Sequence, residues 1–287
     1  MAYWNALRTA QKIRFARLLY RAVAGLRTLT KRPRLAVTKR RGVTFELDLA
    51  EGIDLAMYLF AAFEPETYGA LRRLVRPGHT VLDIGANSGV HTLPTALLAG
   101  ENGQVIAFEP TAAAFRRLQR NLALNPLLAG RVTAVQAYLV DVDHSEKTEV
   151  PAFYSSWRLE RTEAQHPKHF GTLVDATGAV AMTLDSYLDR ANVRGVDVIK
   201  IDVDGYECKV LRGAERMLRR DRPALIVELC PYALEEQGDS ADMLLQLLIS
   251  HGYAFFDEGT GERLPDDPDR LKALVKPDSS INLVALA

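Results

Sequence analysis

The chain of 287 residues is 48% hydrophobic and 25% charged, and its formal net charge is zero. That balance suits a soluble globular enzyme of one large domain or two small ones. No run approaches the roughly 18 apolar residues of a membrane span, and Arg14, Arg17 and Arg21 break any secretory h-region, so a cytoplasmic protein is expected.

Charge is unevenly placed. Twelve of the 36 Lys and Arg precede Glu46, the first acid, which leaves 24 basic and 36 acidic residues in the remainder. Residues 2–29 read as a helix, with Trp4, Leu7, Phe15, Leu18, Ala22, Leu26 and Leu29 recurring on one face and arginines filling much of the rest. Such a helix packs on the body or on a second copy of the chain, or lies peripherally on an anionic membrane. No recognisable module accompanies the charge, so nucleic acid is not an expected partner. The expected division is a basic helical arm over 1–42 and one domain over 43–287.

Val43, Phe45 and Leu47 alternate with polar neighbours as a short strand does, and a helical stretch runs through Tyr58 and Phe60. EPETYGALRRLV (64–75) opens another helix, with Pro65 in its first turn. After Pro77-Gly78, strands are expected at 80–85, 104–110, 131–139, 196–202, 224–229, 253–257 and 281–287. Helical stretches follow the first, second, fourth and fifth of these, as at 112–124 and 241–251. Near-continuous apolar strands separated by helices specify a parallel sheet covered on both faces. No helix is expected between the last two strands, so the seventh should run antiparallel. A long polar insertion, about 141–182, suits substrate contacts or a lid. Within it, Trp157 beside Ser155 and Ser156 fits either a sugar face or a loop anchor. Cys208 and Cys230 lack metal-ligand spacing and read as buried free thiols.

VLDIGANSGVHT (81–92) carries the first functional signal. At the tip of a first parallel strand, Gly85, Ala86, Asn87 and Gly89 would border the ligand crevice, the glycines allowing a tight turn and close approach. The spacing is G-x-x-x-G rather than the dinucleotide G-x-G-x-x-G. Asp83, two residues earlier, would repel a pyrophosphate but suits an ammonium or sulfonium. Glu109, at the end of the second strand, is placed to accept hydrogen bonds from ribose hydroxyls. An adenosine bearing an amino-acid tail through sulfur fits all three features: S-adenosylmethionine (SAM).

VDVIKIDVDGYECKVLRGAERML (196–218) resembles the FkbM-type family of SAM-dependent methyltransferases, with its K-I-D-[VI]-[ED]-G-x-E block followed by V-L-x-G-A. Lys200, Asp202, Asp204, Gly205, Glu207, Leu211 and Gly213 match that pattern. FEPETYGALRRLVRPGHTVLDIGANSG (63–89), MTLDSYL (182–188) and LIVEL (225–229) are similar to other segments of the family. The resemblance covers about 43–285. It implies a class I methyltransferase-like fold, a doubly wound α/β sheet of seven strands preceded here by an N-terminal helical extension. It also implies O-methylation of a sugar, glycolipid or natural-product hydroxyl, with Asp141 on the adenine side of the donor.

For the chemistry, an alcohol acceptor needs alignment with the methyl group and a base in reach. Asp202, at the tip of the fourth strand, is the first candidate, as base, as acceptor-orienting group or as ligand of the donor's amine. Lys200 lies on the same strand face and would pair with Asp202 or stabilise an alkoxide. Glu228 ends the fifth strand as a further acid or base, and His91 has the ordinary titration range of a base. Glu207 would bind Lys200 or loop amides at a helix start. Asp202, Asp204 and Glu228 could gather a divalent ion, though no spacing demands a metal. Two other readings compete: a nicotinamide-dependent oxidoreductase, and a non-catalytic SAM-fold scaffold recruited by its basic arm to membrane or polyanion.

Overall fold

The computed structural model describes residues 9–143, 153–155, 158–160, 166 and 171–287. Trp4, Leu7, Ser156 and Trp157 lie outside them, and Ser155 is described only as part of a strand. Helix α1 (Thr9–Leu29) precedes a hairpin of β1 (Leu35–Arg40) and β2 (Val43–Asp48), whose turn residues Arg41 and Gly42 both take positive φ, 49° and 84°. Positive φ at both central residues is what a tight, right-twisted hairpin requires. The line drawn between residues 42 and 43 thus falls inside a hairpin.

Helices α2 (Gly52–Phe60) and α3 (Pro65–Leu74) lead into the alternating part of the chain. There follow β3 (Thr80–Ile84), α4 (Thr92–Ala99), β4 (Gln104–Phe108), α5 (Ala112–Ala123), α6 (Pro126–Ala129), β5 (Val132–Val135) and β6 (Ala137–Leu139). The insertion contributes β7 (Phe153–Ser155), β8 (Thr172–Val174) and β9 (Val180–Met182) before α7 (Leu184–Arg190). The chain continues through β10 (Val198–Ile201), α8 (Glu207–Arg212), α9 (Glu215–Asp221), β11 (Ala224–Leu229), α10 (Pro231–Glu236) and α11 (Ala241–Ser250). It closes with β12 (Ala254–Asp257), α12 (Pro268–Lys272) and β13 (Ile281–Leu286).

Seven strands form the main sheet in the order β12-β13-β11-β10-β3-β4-β5. β13 is antiparallel to both neighbours and the remaining pairs are parallel. Every residue of β3 and β10 is buried, which is why these segments read as continuous apolar runs. The strand order reverses between β3 and β10, so the switch point lies at Gly85 on one side and Asp202 on the other. Pro94 is the third residue of α4, where its missing N–H removes no helical hydrogen bond.

Three expectations are corrected. The strand expected over 131–139 is two strands: β5 extends the main sheet, whereas β6 pairs in parallel with β9. The ladder changes partner at Gln136, whose carbonyl accepts Val180 N–H (3.2 Å) after Val135 O has accepted Glu109 N–H (3.1 Å). A helix, α12, does separate the last two strands; Asp267 caps it through Asp269 N–H and Arg270 N–H, and Pro268 takes its first position.

The third correction concerns α1. Ile13 is buried, and Ala16, Leu19, Tyr20 and Val23 pack on the cluster around Phe45, Leu47 and Leu55. The face expected to pack points outward instead: Phe15 is 45% exposed, Leu18 and Leu26 63%, and Leu29 83%. The helix carries two apolar stripes, and the body uses the one through Ala16, Leu19, Tyr20 and Val23. Among the described residues no helix is long and apolar enough to cross a membrane. Cys208 and Cys230 are buried and free.

Candidate functional site

A cleft of about 690 Å³ opens at the carboxyl ends of β3, β4, β10 and β11. Its floor is the loop after β3. Gly85 has φ +83°, and a Cβ there would stand 1.9 Å from the Asp202 carbonyl oxygen, so only glycine lets the two strand tips meet. Gly85 and Ala86 N–H both donate to Phe108 O at 3.0 Å, tying the loop to β4. Gly89 (φ +86°) packs under Leu93 and Leu118, 2.6 and 2.7 Å from where a Cβ would be.

Asn87 holds the loop's strained centre, with φ +48°. Its side-chain Oδ1 accepts from Arg117 (3.0 Å) and from Ser88 N–H (2.8 Å). Arg117 also pairs at 3.3 Å with Asp54 of α2, a fully buried carboxylate that accepts Asp48 N–H at 2.8 Å. Burial pushes the Asp54 carboxyl up to about 6 against the pull of Arg117. Helices α2 and α5 therefore clamp the glycine loop through Asp54 and Arg117.

Glu109, 4% exposed, lines the cleft beside this loop. Its Oε1 accepts Thr111 N–H (2.8 Å) and hydroxyl (2.6 Å), and its Oε2 accepts Asn87 N–H (2.9 Å). Burial raises its carboxyl, and these bonds to Thr111 and Asn87 oppose the rise. About four lone-pair sites belong to a carboxylate, so one remains for a ribose hydroxyl. A second hydroxyl would require the Thr111 hydroxyl to turn away.

Asp83 does not line the cleft. It is 3% exposed, accepts the Thr92 hydroxyl at 2.6 Å and lies 3.6 Å from Lys200 Nζ. Lys200 spans the switch point: its Nζ also reaches Asp202 Oδ2 (3.2 Å) and donates to Gly85 O (3.2 Å). Burial would lower the Lys200 ammonium, but Asp202, then Asp83 and Glu64, outweigh it and hold it above its ordinary value. It remains protonated and anchors Asp202, whose side chain is 33% exposed in the cleft wall.

The far side of the cleft is acidic. Asp204 (φ +50°), Glu228, Asp257 and Glu258 line it. Desolvation, then repulsion from Asp202 and Glu207, holds the carboxyls of Asp204 and Glu228 well above their usual range. Glu207, at the start of α8, is fully buried; its Oε1 accepts Val203 N–H (3.1 Å) and Gly205 N–H (3.3 Å), and burial pushes it up to about 7. It thus binds loop amides and not Lys200. His91 precedes α4 with Nε2 3.3 Å from Glu64 Oε2, and its ring borders the cleft.

Asp141 is absent from the cleft wall; Ala137, Tyr138 and Leu139 of β6 stand there instead. β6 leaves the main sheet, so the turn after it carries Asp141 past the crevice. Among the described residues no group of three or more His, Cys, Asp or Glu is arranged to hold a metal ion. Sequence reasoning missed Tyr138 and Tyr206, whose rings meet edge-on at 5.4 Å with Lys209 Nζ 4.7 Å from the Tyr206 ring centre. The aromatic inside the D-G-Y-E stretch was the available signal for Tyr206. The sequence held none for Glu64, Tyr232 or Asn282, which reach the wall from distant segments.

The residues present fit SAM: a glycine cradle for close approach, one open acceptor on Glu109, and a carboxylate-lined space for a cationic donor. A doubly wound sheet with that crevice at its switch point is the architecture SAM-dependent methyltransferases share with other nucleotide-binding enzymes. Residues 83–255 match the Methyltransferase FkbM domain, and the chain belongs to that family. Methyltransferase 1 of Beauveria bassiana is similar at 27% identity over 203 residues, covering 65% of this chain and 76% of that protein. The AMB antimetabolite synthetase AmbE of Pseudomonas aeruginosa is 25% identical over 224 residues, 67% of this chain but 10% of the synthetase. Among solved structures, a methyltransferase FkbM from Methylobacillus flagellatus is 19% identical, with 93% of this chain and 59% of that one covered and a TM-score of 0.43.

Proposed function

We propose that this chain is an O-methyltransferase that moves a methyl group from SAM to a hydroxyl of a sugar, glycolipid or natural-product acceptor. The observation that carries the reading is the Asp83–Lys200–Asp202 bridge, which fixes one carboxylate in the cleft wall at the switch point. Bound SAM supplies an electrophilic methyl group on a sulfonium, a good leaving group. The glycine loop and Glu109 would hold the nucleoside and tail, while Tyr138 and Leu139 close the side beyond Glu109.

Asp202 would accept the acceptor's proton as oxygen attacks, being a carboxylate whose position the Lys200 ammonium sets at 3.2 Å. Lys200 acts through Asp202 and is a positioning residue. Glu228 favours its protonated form, which suits it to donate a hydrogen bond to the acceptor.

The test is transfer of tritiated methyl from SAM into panels of glycosides, glycolipids, polyketide alcohols and amines. We expect label in a hydroxyl-bearing class, a loss of about 10²-fold or more in kcat for Asp202→Asn, and SAM affinity within about threefold of the parent. Label confined to amines would remove the O-methyl reading, and an undiminished kcat in the variant would remove Asp202 as the base.

A further inference from the structure

We propose that the outward face of α1 docks on an anionic lipid bilayer. The body leaves that face unused. Leu18, Leu26 and Leu29, at 63%, 63% and 83% exposure, lie on one stripe along a helix of 21 residues, with the exposed Arg14 and Arg21 along its flank. On β1, Leu35 (44%), Val37 (61%) and Lys39 are also exposed.

The stripe is not awaiting a place in the body's own core. Its opposite face, through Leu19, Tyr20 and Val23, already packs on the cluster around Phe45 and Leu47. Arg27 locks the helix end by donating to Pro33 O (2.8 Å) and to the Tyr58 hydroxyl (3.3 Å), and the Tyr20 hydroxyl donates to Glu160 at 2.7 Å. Rotation that hid the leucines would break these ties and expose Ile13.

Charge selects the occupant. Residues 1–45 hold twelve Lys or Arg and no acid, and although Arg34 pairs with Asp48 at 2.8 Å, the exposed Arg14 and Arg21 beside the stripe leave this face net cationic. A leucine stripe flanked by arginines matches the boundary between acyl chains and anionic headgroups. A second copy of the chain fits poorly, because a two-fold contact would press two copies of the same arginine-flanked patch together. Duplex nucleic acid would use the cations and leave the leucines wet. α1 packs on α2, and Ile53 of α2 lines the cleft, so docking would bring the cleft wall within roughly one helix diameter, about 10 Å, of the helix that meets the bilayer.

The test sediments the full chain with vesicles of phosphatidylcholine alone and of phosphatidylcholine with phosphatidylglycerol at about 7:3. We expect at least about tenfold stronger partition onto the anionic vesicles, falling as salt rises. A Leu18→Ser, Leu26→Ser, Leu29→Ser variant and an Arg14→Glu, Arg21→Glu variant should each lose about tenfold or more with unchanged far-UV circular dichroism. Their SAM affinity should equal the parent's, which keeps this inference separate from the donor-site reading. Equal binding to neutral vesicles, or full binding by the leucine variant, overturns it. So does a dimer mass in the absence of lipid that the leucine variant returns to monomer, or duplex DNA binding with no vesicle binding.

Discussion

Replacing Lys200 with methionine perturbs the point where the two halves of the sheet meet. The substitution keeps an unbranched chain of similar volume and removes one buried charge. Asp83, 3% exposed, is then left with the Thr92 hydroxyl at 2.6 Å in place of a countercharge at 3.6 Å, and Asp202 loses its partner at 3.2 Å. Removing one member of a buried ion pair costs about 3–5 kcal/mol, because the carboxylate left behind has neither water nor a countercharge. Against a total stability of about 5–15 kcal/mol, that is a large fraction. Urea unfolding followed by far-UV circular dichroism at pH 7.5 would read it as a fall in midpoint. Adding Asp83→Asn to Lys200→Met removes the stranded charge, so the double variant should be more stable than additivity predicts by about 2 kcal/mol. A single-variant cost below about 1 kcal/mol, or additivity within about 0.5 kcal/mol, would refute the bridge as described.

Two further outcomes follow from the same geometry. Gly85→Ala would set a Cβ 1.9 Å from the Asp202 backbone oxygen at φ +83°, so the strand tips must part; we expect about 1–3 kcal/mol lost and SAM affinity reduced more than about tenfold, and calorimetry showing parental affinity would contradict this. Glu207 is raised from 4.5 to about 7 in the folded chain, so the folded state keeps a proton that the unfolded state releases, and stability falls as pH rises through that window. Glu207→Gln cannot show this fall; the variant should gain on its parent by about 3 kcal/mol between pH 4.5 and pH 8, whereas parallel stability–pH curves would count against it.

The sheet was legible because parallel strands buried on both faces leave unbroken apolar runs, as in Thr80–Ile84 and Ala224–Leu229, and these segments fold as read. The closing strand runs reversed as expected, but the ground for that expectation, no helix between the last two strands, fails at α12. Glu109 and Asp202 could be placed because strand tips define the crevice. What the pattern could not decide was which of two apolar stripes on α1 meets the body, since periodicity is blind to the partner surface. Nor could it show that Lys200 draws Asp83 into the interior, a pairing across β3 and β10 made by residues 117 positions apart in the chain. The split at Gln136 likewise depends on β9, which arrives more than forty residues later.

Titration calorimetry with SAM and S-adenosylhomocysteine on the intact chain and on a folded Glu109→Ala variant tests the donor cleft most directly. One ligand per chain should bind the parent, and the variant should bind both compounds at least about tenfold more weakly through loss of the ribose contact. A parent that binds neither compound, or a variant that binds both as tightly as the parent does, would contradict the assignment.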